Sequence, residues 1–173
     1  MHTMKTIHSL LLLFFTFILP PAWGEDLVTP VSQPSKADGK SLLTSGIEDG
    51  GLGTLRIGNR RIRVEIASTP RSREHGLMQR DYLCDDCGML FIFEKAAIYS
   101  FWMQDTLLPL SIAFIASDGS IINIEEMKPN TTDAHNSQDD ALYALEMNSG
   151  WFARNNISPA EKAHELRPVS KAR

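Results

Sequence analysis

The stretch Ile62-Arg-Val64-Glu-Ile66 alternates apolar and charged residues without a break. A period of two places Ile62, Val64 and Ile66 on one face and Arg61, Arg63 and Glu65 on the other, an arrangement that suits a strand and not a helix. With Leu55-Arg-Ile57 ahead of it and Gly58-Asn59 between, the pattern predicts a hairpin with one wet face. Met89-Leu-Phe-Ile-Phe93 is a continuous apolar run of strand length, which predicts a strand covered on both faces. Ala97 to Met103 reads as another strand, with Phe101, Met103 and, beyond them, Asp105 on one face and Trp102 and Gln104 on the other. Leu110 to Ala116 and Ile121 to Met127 flank Ser117-Asp118-Gly119-Ser120, where Asp118-Gly119 suit the two positive-φ positions of a type I′ hairpin. Ala141 to Met147 closes the series.

Helical signals are few. Thr69 before Pro70 is an N-cap and first-turn pair and Gly76 a stop, so Pro70 to His75 is expected to be a short helix, with a further helical turn at Gly150 to Arg154. Asn130 to Asp140 is polar and loop-like. About six or seven short strands with one or two short helices, spaced by turn residues, define a mainly β chain: a single compact β-sandwich or barrel-like domain.

The ends differ in character. Lys5, the apolar run Leu10 to Leu19, Pro20-Pro21 and the small residues of Ala22-Trp23-Gly24 make residues 1–24 an expected signal peptide, too short in its apolar part to span a bilayer, which takes about 20 residues. Residues 25–53, rich in Ser, Gly, Asp and Pro, are expected to be a flexible linker. The β-rich domain is then expected over 54–158 and a charged tail over 159–173. The expected location is periplasmic or secreted, with no stable membrane span once the signal is removed. Lys+Arg 17 against Asp+Glu 21 leaves a net charge of −4, which argues against nucleic acid as a partner, since phosphate binding needs clustered basic residues.

Several short motifs follow one another along the chain: Gly76-Leu-Met-Gln-Arg80, Gly88-Met-Leu-Phe91 with Phe93, Phe101-Trp-Met103 with Thr106, Pro109-Leu110 followed by Ile112-Ala-Phe-Ile115, Gly119, Glu125, and Ala144-Leu-Glu146 with Gly150-Trp151. In this order over roughly a hundred residues they resemble the domain of unknown function 192 family. The resemblance implies an exported or membrane-anchored bacterial protein with a compact β-rich fold and a short helix. It implies no particular activity, because none is assigned to the family. Two departures stand out: Ser111 follows Leu110 where the family commonly has an acidic residue, and Ile157-Ser-Pro-Ala-Glu161 with a charged tail stands where the family turns into a last strand, which puts that strand in doubt.

The chemistry-bearing candidates fall into two groups. Cys84-Asp-Asp-Cys87 pairs the only two cysteines, and in an oxidising compartment it reads as a structural disulfide, with a redox couple, free thiols and metal ligation as alternatives. Asp85 and Asp86 would raise a thiol pKa, and zinc would need two further ligands that neither His75 nor His135 supplies at a usual spacing, so no metal and no cofactor is expected. His75, His135 and His164 read as solvated histidines. The second group is polar residues set among apolar strands: Arg73, Arg80, Trp102, Asp105 and Glu146. An internal Arg–carboxylate bridge that fixes the fold is the simpler reading. The functional one is a cleft for a small polar ligand or a contact with an envelope protein. A different class, an envelope hydrolase, would use Asp105 and Glu146 as acid and base across an open cleft, and a third, thiol–disulfide chemistry, would use Cys84 and Cys87.

Overall fold

The computed structural model describes residues 47–168. The expected signal peptide over 1–24, most of the expected linker and residues 169–173 lie outside them. Among the described residues the strands are β1 (Leu52–Ile57), β2 (Arg60–Ala67), β3 (Cys87–Ala97), β4 (Ser100–Phe101), β5 (Leu110–Ile115), β6 (Ile121–Met127), β7 (His135–Asn136), β8 (Ala141–Asn148) and β9 (Ala163–Pro168), with helices α1 (Pro70–His75) after β2 and α2 (Trp151–Arg154) after β8. Among these residues no helix is long and apolar enough to cross a membrane.

Seven strands form one sheet in the order β6-β5-β8-β3-β2-β1-β9, and β4 pairs with β7 apart from it. All neighbours in the sheet are antiparallel except β2 and β3, whose parallel pairing requires a crossover, and α1 lies in that crossover. The sheet curls until its edges meet at one end: Ser120, before β6, bridges Lys162, before β9, and Ile121 N donates to Glu161 O at 2.9 Å. The result is barrel-like but not closed.

The curled face encloses one core, in which Leu55, Val64, Leu90, Ala113, Tyr143, Leu145 and Leu166 are buried and Trp151 and Phe152 of α2 take part. Each such large side chain contributes about 1.5–3 kcal/mol on leaving water. The opposite face of β3, β8 and β5 carries a second core of Met89, Phe91, Ile112, Phe114 and Ala144, to which Leu77 and Met103 contribute. Residues 89–93 therefore pack on both faces, as the unbroken apolar run requires.

Two glycines of the short motifs have geometric reasons. Gly76 ends α1 with φ +49, a conformation L residues rarely adopt. Gly88 lies where β3 and β8 approach closely: a Cβ there would meet Glu146 O at 2.3 Å and Met147 Sδ at 2.4 Å.

Four expectations change. Order begins before residue 54, because Asp49 accepts from Ser68 N at 2.7 Å and Gly50 N donates to Ile66 O at 2.8 Å, which ties this stretch to the end of β2. The expected charged tail contains β9, which pairs with β1 and buries Ala163 and Leu166; its apolar positions are too sparse to stand out among the charges. At Asp118-Gly119 only Gly119 has positive φ, because the Asp118 carboxylate accepts from Ser120 N at 2.9 Å and holds a turn of another type. The strand expected up to Met103 is reduced to Ser100–Phe101, and the chain turns at Asp105 with φ 55, so Asp105 leaves the face of Phe101 and Met103 and is exposed.

Candidate functional site

Glu146 lies on the middle strand pair of the second core, between Met89 on β3 and Ile112 on β5. It is 4% exposed. Among the described residues no donor or cation is bonded to its carboxyl, and burial pushes the group up to about 8. The carboxyl is therefore protonated at neutral pH, where it can both donate and accept a hydrogen bond.

The space above it is a pocket of about 270 Å³ whose walls include Phe91, Phe93, Tyr99, Phe101 and Trp102. The aromatic wall is built by local sequence. Phe91 and Phe93 point to one face of β3 by strand alternation, and the segment after β3 folds back over them. Phe101 meets Phe91 edge-on with centroids 5.0 Å apart, and Tyr99 stacks on Phe93 at 3.5 Å. The overlying segment is tied down by the backbone, with Met103 N donating to Thr131 O and Gln79 N donating to Asp105 O, both at 2.9 Å. Trp102, half exposed, lines this pocket and also an outer, more polar cleft shared with Asp49, Glu74, Gln104 and Asp105.

Of the five polar and aromatic candidates, the structure brings Arg73, Trp102 and Glu146 to one pocket. Arg73 also holds α1 to the sheet, donating to Ser68 O and to Ile92 O at 3.0 Å, with its guanidinium 5.4 Å from the Phe93 centroid. Asp105 lines only the outer cleft, so the two carboxyls of a hydrolase pair do not share one cavity. Arg80 lines neither. It forms a two-pronged ion pair with Glu65, one prong at 2.7 Å, and Glu65 raises its pKa by accepting those hydrogen bonds.

The sequence reading missed a second arrangement. His135, expected in solvent, lies largely buried in β7, with Nδ1 2.8 Å from Glu125 Oε2 and Nε2 buried without a partner. Asn123 Nδ2 donates to Glu125 Oε1 at 3.3 Å and to Asn136 O at 3.0 Å, fixing the loop over the sheet. Glu125 stands among the motif residues, and that was the available signal; nothing local indicates that His135 crosses above it.

Cys84 and Cys87 are joined in a disulfide. Arg63 Nη2 lies 3.3 Å from Cys84 Sγ and 3.5 Å from Cys87 Sγ. Asp86 faces elsewhere: it accepts from Trp151 Nε1 at 3.0 Å and from Arg60 at 3.3 Å, which lowers its pKa in that order of importance. Among the described residues no group of three or more His, Cys, Asp or Glu could hold a metal ion.

Fold and site together define a small, curled-sheet β domain with one aromatic pocket over a buried acid. The chain belongs to the DUF192 family, described as Uncharacterized ACR, whose model matches residues 53–164. It is similar to a solved structure from Sinorhizobium meliloti 1021, described as a putative transcription regulator, at 34% identity with a TM-score of 0.65; the match covers 69% of this chain and 97% of that one. It is also similar to a protein of unknown function from Novosphingobium aromaticivorans DSM 12444, at 31% identity with a TM-score of 0.61, covering 65% of this chain and 83% of that one. None of the curated proteins matches the sequence.

Proposed function

We propose that this domain binds a small ligand in the aromatic pocket and holds it by a hydrogen bond to the Glu146 carboxyl. One observation carries the reading: a buried carboxyl with no partner among the described residues lines a cavity. Leaving such a group unsatisfied costs free energy, and a fold that needed only packing would be served as well by an apolar residue. At about 270 Å³ the pocket is near the lower limit of small-molecule sites, roughly 300–1,000 Å³, so the ligand is small. Its body is flat or aliphatic, to lie against Phe91, Phe101 and Trp102. Its polar group is a carbonyl or amide, which matches a protonated carboxyl that both donates and accepts.

The net charge of −4 supports no phosphate-backbone role, whatever the description of the Sinorhizobium relative. The leader over residues 1–24 supports an exported setting. The test is a thermal-shift screen of small carbonyl and amide compounds on the full chain at pH 6.5, since a ligand of the folded state raises stability by mass action. Compounds that raise Tm in the wild type and in Glu146→Gln, but not in Glu146→Leu or Trp102→Ala, support the pocket. Hits insensitive to both the Leu and the Ala variants, or no hit at all, reject it.

A further inference from the structure

We propose that Cys84 and Cys87 form a thiol–disulfide exchange site that oxidises dithiols, with Arg63 stabilising the thiolate that departs. A disulfide across four residues removes little chain entropy from the unfolded state, so stapling explains the pair poorly. The surroundings suit exchange better. The parallel register sets Arg63 opposite Cys87, and the guanidinium on the wet face of β2 reaches both sulfurs, at 3.3 and 3.5 Å. A positive charge at this distance lowers a thiol pKa and makes the sulfur a better leaving group.

The two aspartates of the motif do not cancel this. Asp86 is committed to Trp151 and Arg60, and among the described residues it is Arg63, not the Asp85 carboxylate, that contacts the sulfurs. The loop between the cysteines borders a polar cleft of about 460 Å³ at Asp85 and Asp86. Both cysteines are half-buried, so the sulfurs are shielded without being sealed off.

The exchange balances with a dithiol as the reductant. The first substrate thiolate attacks one protein sulfur; the Cys84–Cys87 bond breaks, a mixed disulfide forms, and the other sulfur leaves with the electron pair beside Arg63. The second substrate thiolate then attacks the substrate sulfur of the mixed disulfide. This closes the substrate disulfide and releases the second protein sulfur. Two electrons pass to the protein, and the two protons lost by the substrate thiols go to solvent or to the new protein thiols. Because Arg63 favours the reduced form, the couple is more oxidising than a structural disulfide.

The full chain is equilibrated with graded mixtures of reduced and oxidised glutathione, and separately with dithiothreitol, and the reduced fraction is trapped with a maleimide and read by mass. The wild type is expected to be half reduced within the glutathione range. Arg63→Gln is expected to shift the equilibrium about tenfold toward the disulfide, about 30 mV, while Arg63→Lys stays near the wild type. Alkylation of the reduced wild type should titrate below the ordinary thiol value of about 8.5. A disulfide that persists in hundredfold excess reduced glutathione, coincident midpoints for the wild type and both variants, or a thiol titrating at or above about 8.5, overturns the proposal. If Arg63→Gln does not fold, the Lys variant and the wild-type titration still decide it.

Discussion

Glu146 and Glu125 register on the same residue, Ile112, from the strands on either side of it. Two strand spacings separate them, about 9–10 Å. Their environments diverge: Glu125 is held by His135 and Asn123, whereas Glu146 has no partner among the described residues and lines the aromatic pocket. A row in which one carboxyl is hydrogen-bonded by a built partner and the next faces a cavity gives the two acids different tasks. The first fastens the 130–136 loop over the sheet, and the second is available to a ligand.

The buried carboxyl should be visible in stability. Burial raises the folded-state value of Glu146 to about 8 from its ordinary value of 4.5. A raised acid pKa means the folded state retains a proton that the unfolded chain has lost, so stability is full below the unfolded value and falls as pH rises through the folded one. The slope is about 1.4 kcal/mol per pH unit between the two values. Glu146→Gln removes this component, so urea unfolding should show the variant overtaking the wild type in stability by pH 8–9. Parallel pH profiles for the two proteins would sink the assignment.

Asp49 should show the opposite sign. The Ser72 hydroxyl first, then the backbone N–H groups of Ser68 and Thr69, hold its carboxyl well below the usual carboxylate range. Its contribution is present above the unfolded value and is lost as pH falls through the folded one. Asp49→Ala is expected to cost about 1 kcal/mol at pH 7, on the scale of a helix cap at an exposed site. In acid titrations followed by circular dichroism the difference from wild type should vanish at the lowest pH; a gap that persists there would contradict the account.

How much of this was readable in the chain depends on the separation of the partners. The Thr69-Pro70 start of α1, the Gly76 stop and the β1–β2 hairpin rest on neighbours, and each forms where the local pattern puts it. The aromatic wall was partly readable too, because alternation sends Phe101 and Met103 inward and leaves Trp102 out. The remainder depends on the sheet's curl. Asp49 reaches the Ser72 hydroxyl in the first turn of α1, Arg80 finds Glu65 across the β2–β3 crossover, and β9 finds β1 from the far end of the domain. No local period encodes those meetings. Glu146 stands out in the sequence as a carboxylate among apolar residues, but its pairing depends on which side chains the overlying segment presents.

Close approach at Gly88 gives a steric prediction. A Cβ would collide with the Glu146 carbonyl oxygen, which belongs to the β8 backbone and cannot rotate aside. Overpacking of this kind typically costs 1–3 kcal/mol, and the rigid neighbour puts Gly88→Ala at roughly 3 kcal/mol or beyond. The shift is expected in the denaturant midpoint. Because β8 would be displaced, the environment of Glu146 should change with it. A variant with wild-type stability would mean the two strands separate at little cost.

The last strand offers the sharpest test of the architecture. A chain ending at residue 158 retains every motif that stood out in the sequence, and on that basis would be expected to fold. The structure says otherwise. Removing β9 uncovers the hydrogen-bonding edge of β1, breaks the seam where Ser120 meets Lys162, and takes Leu166 and Ala163 out of the enclosed core. Loss of a fully buried leucine side chain alone costs about 2–5 kcal/mol, a large part of the 5–15 kcal/mol that typically holds a domain together. The exposed edge also invites pairing between chains. Truncation at 158 is therefore expected to give aggregated or unfolded protein, while Leu166→Ala in the full chain gives a folded protein with a lowered Tm. A truncated chain with a cooperative melt near the wild-type Tm would show that the sheet is complete without β9.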